Sequence, residues 1–292
     1  MPDRRDVEVL HGKDRLRGRL TIPEAEGDVP GVAFIHGSGP ASLDRWDSEA
    51  RVLADAGIAM LAYDKPDAWT GQSFHDRATE ALAALGVLRA EPSTGPVGFL
   101  GGSQGGWIAP IAAAQSSDVD FIVCASASGV GPREQDLYRV EHQLRADGFE
   151  EGQIAAALAL WHERDEGLRR GDRPESVLAL GETHRDEPWA RYLALDDADQ
   201  LAFGQRIWDF DVVPYLERCR CRVLAVWGES DPIVAAHESK RIFERALREA
   251  GNTNFELVLV PGADHGLRGG AVERADVIRL VADWILTAAV SS

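Results

Sequence analysis

The chain has 292 residues, 45% hydrophobic and 27% charged, with a formal net charge of −17 at pH 7. That length holds a substantial core, in one large α/β domain or two smaller ones. A field of that sign repels phosphate backbones and anionic bilayers, so neither nucleic acid nor a membrane is expected as a partner.

In chain order, short apolar runs alternate with longer helical patterns. The runs Val7–Leu10 and Leu16–Ile22 flank the turn His11-Gly12-Lys13-Asp14 and read as an antiparallel hairpin at a sheet edge. Further strands are expected at Val32–Ile35, Ile58–Tyr63, Val97–Leu100, Phe121–Cys124, Val223–Trp227 and Phe255–Val260. Helices are expected near 44–56, 74–90, 104–115, 236–250 and 271–288. Strands separated by helix-length segments imply βαβ crossovers and a mostly parallel sheet, an α/β class.

The alternation stops between residues 131 and 212, where apolar residues such as Ile154, Ala157, Leu158 and Trp161 recur at helical spacing. The expected organisation is therefore a core of 1–130 and 213–292, with 131–212 inserted as a helical cap over the strands' carboxyl edge. Ligands of open α/β sheets bind at that edge.

The start, MPDRRDVEVLHGKD, has no apolar leader and no later stretch approaches a membrane span, which suggests a cytoplasmic protein. Cys124, Cys219 and Cys221 make no disulfide framework. Cys219-Arg220-Cys221 lacks a second ligand pair at zinc spacing, so no metal is expected.

The segment Gly101-Gly102-Ser103-Gln104-Gly105 lies where a strand gives way to a helix. There a sharp elbow lifts a serine above the sheet, and glycines at 101 and 105 remove side chains that would collide with neighbouring backbone. The competing readings are an ordinary glycine-rich turn or a phosphate cradle, but no Walker lysine follows. A serine hydroxyl needs a base, and the base an orienting carboxylate. His265 occupies a glycine-rich loop after the last strand. Asp231, ahead of a proline in the loop after Val223–Trp227, is the preferred carboxylate, with Glu229 the fallback. Asp264 adjoins His265 in sequence, so its side chain should diverge from the imidazole. The order Ser103, Asp231, His265 is that of an α/β-hydrolase. For the oxyanion, the expected donors are the N–H groups of Gln104 and of Ser38 in the loop His36-Gly37-Ser38-Gly39-Pro40, with His36 bracing that loop.

With these motifs (HGSGP at 36–40, GGSQGG at 101–106, WGESD at 227–231, GADHG at 262–266) the chain resembles serine α/β-hydrolases over nearly its whole length. More narrowly it is similar to the dienelactone hydrolase and acyl-CoA thioesterase/acyltransferase-like group of bacterial hydrolases. The resemblance implies an α/β-hydrolase fold with a cap, the triad Ser103, Asp231 and His265, oxyanion donors Ser38 and Gln104, and no cofactor. It departs from the group after Tyr63-Asp64-Lys65, where a basic glycine-rich turn is replaced by Pro66-Asp67-Ala68-Trp69-Thr70-Gly71. Lys65, Trp69, Trp107, Trp161 and Trp208 are candidate substrate contacts. The expected activity is hydrolysis of a carboxylic ester of a small acyl substrate through an acyl-enzyme. Amide or carbon–carbon bond cleavage with the same groups and a catalytically silent ligand-binding protein are the alternatives. The acidic surface does not forbid a homodimer through the insertion or the edge strand.

Overall fold

A computed structural model describes residues 2–193, 198–269 and 272–289. Eight strands form one sheet: β1 (Asp3–His11), β2 (Asp14–Ile22), β3 (Val29–Ile35), β4 (Ala59–Tyr63), β5 (Thr94–Gly102), β6 (Phe121–Ala125), β7 (Arg222–Gly228) and β8 (Phe255–Val260). Their spatial order is β1-β2-β4-β3-β5-β6-β7-β8. The first two form an antiparallel edge hairpin and β2 also runs antiparallel to β4. All pairings from β4 to β8 are parallel.

The core helices are α1 (Asp47–Asp55), α2 (Phe74–Arg89), α3 (Gly105–Gln115), α9 (Ala236–Glu249) and α10 (Arg274–Ala289). The helix expected over 271–288 is therefore present from Arg274; position 271 lies outside the described residues. Between β6 and β7 the described residues form only helices, turns and loops, including α4 (Pro132–Ala146), α5 (Glu151–Arg170), α6 (Pro174–Ala179), α7 (Ala198–Ile207) and α8 (Val213–Leu216).

The parallel strands are apolar on both faces, and their period of two sorts side chains between two cores. Ala33, Ile35, Leu61, Tyr63, Ala225 and Trp227 pack with α2, α3 and α9 on one face. Val32, Phe34, Met60, Ala62, Leu224 and Val226 pack with α1 and α10 on the other. The insertion has its own small core, in which Val140, Leu144, Ile154 and Ala157 surround Trp161, Trp189 and Trp208.

The connection from β3 leaves through α1 on one face, whereas that from β5 leaves through α3 on the opposite face. β3 and β5 are neighbours, with Ile35 opposite Gly101, so their carboxyl ends open side by side at a topological switch point. The register carries the edge along: Gly102 pairs with Ala125, Ala125 with Val226 and Gly228 with Val260.

Backbones approach closely at this point. A Cβ on Gly105 would lie 2.2 Å from Ile35 O, and one on Gly101 would lie 2.4 Å from Gly105 O. Gly105→Ala should therefore force β3 and α3 apart and cost about 1–3 kcal/mol or more by overpacking. Thermal unfolding checks this, against Gly152→Ala on an exposed turn of α5, where an added Cβ meets nothing within 4 Å.

Candidate active site

Ser103 follows β5 directly and has φ 52°, a left-handed conformation that is strained for a side chain of this size. Its N–H donates to Ala125 O at the end of β6 (2.8 Å), and its own carbonyl accepts from Gly106 N as α3 begins (2.8 Å). The elbow is thus fixed on both sides. From the loop after β8, His265 Nε2 lies 3.0 Å from Ser103 Oγ. From the loop after β7, Asp231 Oδ2 lies 2.7 Å from His265 Nδ1. Asp231 is buried, and its other oxygen accepts from the N–H groups of Ile233 (2.7 Å) and Val234 (3.0 Å). With Oδ1 so occupied, Oδ2 is the oxygen left to orient the imidazole. That arrangement makes Nδ1 the donor and leaves Nε2 free to accept from the serine hydroxyl.

Glu229 takes no part: it is exposed, with Oε1 3.7 Å from His237 Nε2. Asp264 turns to its own loop, where Oδ1 accepts from Arg268 N at 3.1 Å. Gly228 lets the histidine loop settle against β7, since a Cβ there would lie 2.2 Å from Asp264 O. Ser126, which the sequence pattern did not single out, adds a brace: it follows β6 at φ 52° and its hydroxyl donates to His265 O at 2.9 Å.

A cavity of about 470 Å³ opens above Ser103 and His265. Ser38 and Gln104 border it, as do Trp69, Trp107 and Trp208 among the expected contacts. Two of the expected contacts lie elsewhere. Lys65 is buried behind the loop after β3, where its Nζ donates to Gly37 O and Gly39 O at 2.9 Å each. Trp161 is buried in the core of the insertion, its Nε1 donating to Asp136 Oδ2 (2.8 Å) and its ring stacked against Trp208. Both corrections have one cause: an amphipathic side chain at the right edge can face inward, and sequence order does not say which way it faces. The insertion supplies the cavity's opposite wall through Gln135, Asp136, Arg139, Phe203 and Ile207.

His36 is buried, and both ring nitrogens are engaged, Nε2 with Tyr63 O and Nδ1 as acceptor from Trp46 Nε1 (3.0 Å). Burial pulls its pKa down to about 4, with Arg77 and Lys65 adding to the effect. Burial likewise lowers Lys65 to about 6, with Arg77 contributing. Among the described residues no group of three His, Cys, Asp or Glu could hold a metal ion, and no helix is long and apolar enough to cross a membrane.

Residues 32–278 match the model of the alpha/beta hydrolase family. The chain belongs to that family. It is 30% identical to Esterase EstD of Thermotoga maritima over 163 residues, which is 50% of this chain and 38% of that protein's length. Among solved structures it is similar to dienelactone hydrolase from Anabaena variabilis (20% identity, 98% of each chain, TM-score 0.58). It is also similar to Est1E from Butyrivibrio proteoclasticus (17% identity, 98% of this chain and 99% of that one, TM-score 0.61). These two likenesses speak for the fold.

The buried neutral His36 ties stability to pH. Its pKa is depressed in the folded chain, so between about pH 6.5 and about 4 the unfolded state binds a proton that the native state refuses. Its contribution is therefore complete above pH 6.5 and is lost as pH falls through that window. Between pH 7 and 5 the loss is about 2 kcal/mol. Urea unfolding of the wild type and of His36→Gln at both pH values should show the gap between them change by about that amount; a gap that does not move with pH would contradict the assignment.

Proposed function

We propose that this chain is a serine hydrolase that cleaves a carboxylic ester of a small organic substrate through an acyl-enzyme. The reading is carried by the continuous line from Asp231 Oδ2 to His265 Nδ1 (2.7 Å) and from His265 Nε2 to Ser103 Oγ (3.0 Å). Both distances lie within hydrogen-bond reach.

In the first half-reaction Ser103 Oγ attacks the ester carbonyl carbon as its proton passes to His265 Nε2. Asp231 holds the imidazole by Nδ1 and stabilises the imidazolium. The carbonyl oxygen becomes an oxyanion facing the N–H groups of Ser38 and Gln104. When the tetrahedral centre collapses, the C–O bond to the alcohol breaks and the alcohol leaves with the proton from His265. Water then gives a proton to the same nitrogen and attacks the acyl-enzyme, releasing the carboxylic acid and restoring Ser103.

The helices of 131–212 act as a cap in this scheme. Phe203, Ile207 and Trp208 form an apolar roof that meets Trp69 and Trp107 from the core. Gln135, Asp136 and Arg139 give the same wall a polar corner. A cavity of about 470 Å³ with this lining suits a compact, mainly apolar ester rather than a long chain. The ester preference also draws on the likeness to Esterase EstD, which is a match to part of that protein.

A panel of p-nitrophenyl esters, thioesters and anilides tests the bond class; turnover of anilides alone would overturn the ester assignment. Ser103→Ala should remove nearly all ester turnover while leaving the fold intact by circular dichroism. Asp231→Asn should lower kcat on the order of 10³–10⁴-fold, because the amide no longer fixes the imidazole tautomer. Unchanged kcat in either variant would contradict the roles given to these residues.

A further inference from the structure

Two buried basic side chains grip the loop after β3 from behind. Lys65 is 5% exposed and Arg77 is 1% exposed. Lys65 Nζ donates to Gly37 O and Gly39 O, both at 2.9 Å, and sits 4.1 Å from the centroid of the Trp69 ring. Arg77, one turn into α2, donates from Nη2 to His36 O (3.1 Å) and from Nη1 to Gln104 Oε1 (2.8 Å). The carbonyls of residues 36, 37 and 39 thus all end on these two side chains. Arg77 also links the loop to the residue that follows Ser103.

The carbonyl of Gly37 and the N–H of Ser38 belong to one planar peptide unit. In the trans form they point in opposite directions. A donor anchored on the carbonyl therefore sets where the N–H points, and it polarises the unit so that the N–H becomes a better donor. The amine keeps at least two N–H bonds whether or not it is protonated, so it can reach both Gly37 O and Gly39 O in either state, and it holds them more strongly when charged. His36 anchors the start of the loop, but neither Gly37 nor Gly39 has a side chain to fix the Gly37–Ser38 peptide itself. Glycine on one side of it leaves φ and ψ with wide freedom, so the peptide depends on its carbonyl anchor for its orientation.

We propose that Lys65 is a positioning residue for the oxyanion site: by holding the carbonyls on either side of Ser38 it fixes and polarises the Gly37–Ser38 peptide, so that the Ser38 N–H meets the charge developing on the substrate oxygen. Arg77 does the corresponding work for the other donor, locking the side chain of Gln104 to the same loop. The inference rests on the acyl-transfer reading above. It replaces the expected role of Lys65 as a substrate contact with one exercised through the backbone.

The test compares wild type, Lys65→Met and Lys65→Gln with p-nitrophenyl butyrate as substrate and a trifluoromethyl alkyl ketone as inhibitor. The ketone adds to the serine and places an oxyanion in the same site. Lys65→Met should lower kcat by about 10- to 100-fold, somewhat less than deletion of an oxyanion donor itself. KM should move by less than about threefold, and ketone affinity should fall in step with kcat/KM. Lys65→Gln keeps an uncharged N–H donor group on a shorter arm and should lie between the two. A folded Lys65→Met with kcat and ketone affinity within about threefold of wild type would overturn the inference. So would a loss carried by KM with ketone affinity unchanged. If Lys65→Met does not fold by circular dichroism, Lys65→Gln is judged by the same two criteria. Failure of the underlying reaction looks different: there, wild type and Ser103→Ala would behave alike toward both ester and ketone.

Discussion

The carbonyl of Ile35 at the end of β3 lies where a Cβ on residue 105 would have to be, 2.2 Å away, and the rest of the site follows from that approach. It brings the start of α3 against the end of the neighbouring strand, so the chain must turn sharply between Gly102 and Gly105. Ser103 takes up the turn at positive φ. The same closeness sets the loop after β3 beside the elbow: a Cβ on Gly37 would lie 3.2 Å from Gly102 O and 3.4 Å from Ser103 Cβ. Ser103 and the glycine-rich loop after β3 become neighbours because two strands end together and their helices leave on opposite faces.

Strain and buried polarity collect around this point. The three described non-glycine residues with positive φ are Ser103, Ser126 and Leu267; the first two border the cavity and the third lies two residues beyond His265. Such conformations cost of order 1–3 kcal/mol each and persist where the surroundings over-determine them. Here the surroundings are backbone hydrogen bonds from Ser103 to Ala125, from Ser126 to Val226 and from Leu267 to Asp264. The buried Asp231 and Arg77 carry a desolvation cost as well, partly offset by hydrogen bonds to backbone and to neighbouring polar side chains. A core built for stability alone would hold apolar residues in those places. Their position around the serine connects the energetics of the fold to the proposed chemistry.

Much of this was legible from the amino-acid order. Strands buried on both faces announce themselves as continuous apolar runs, and the runs from Val32 onward fall in the parallel strands, with Ile58 lying one residue before β4. Ser103, Asp231 and His265 could be picked out because each sits in a loop directly after such a run, and parallel strands deliver those loops to one edge. Lys65 was placed at the correct edge but facing the wrong way. Its partners are main-chain carbonyls, which leave no trace in residue identity. Arg77 went unnoticed for a related reason, although α2 carried a signal. With Phe74, Ala78, Ala81 and Leu85 marking its inward face, Arg77 and Glu80 fall on that face too, and both are buried. Charged residues at apolar positions of an amphipathic helix call for an internal partner. Only the tertiary structure names the partners of Arg77 as His36 and Gln104. Trp161 shows the limit for the insertion, where one tryptophan borders the cavity and another stacks behind it with no difference in local sequence pattern.

The central claim is that the hydroxyl of Ser103 is the activated nucleophile. Peptide mapping by mass spectrometry after treatment with a fluorophosphonate, which phosphonylates activated serines, addresses it without knowledge of the natural substrate. The account requires one phosphonyl group per chain, located on Ser103, with ester turnover lost in proportion to labelling. A chain that remains unlabelled at Ser103, or that loses activity through labelling elsewhere while Ser103 stays free, would contradict it.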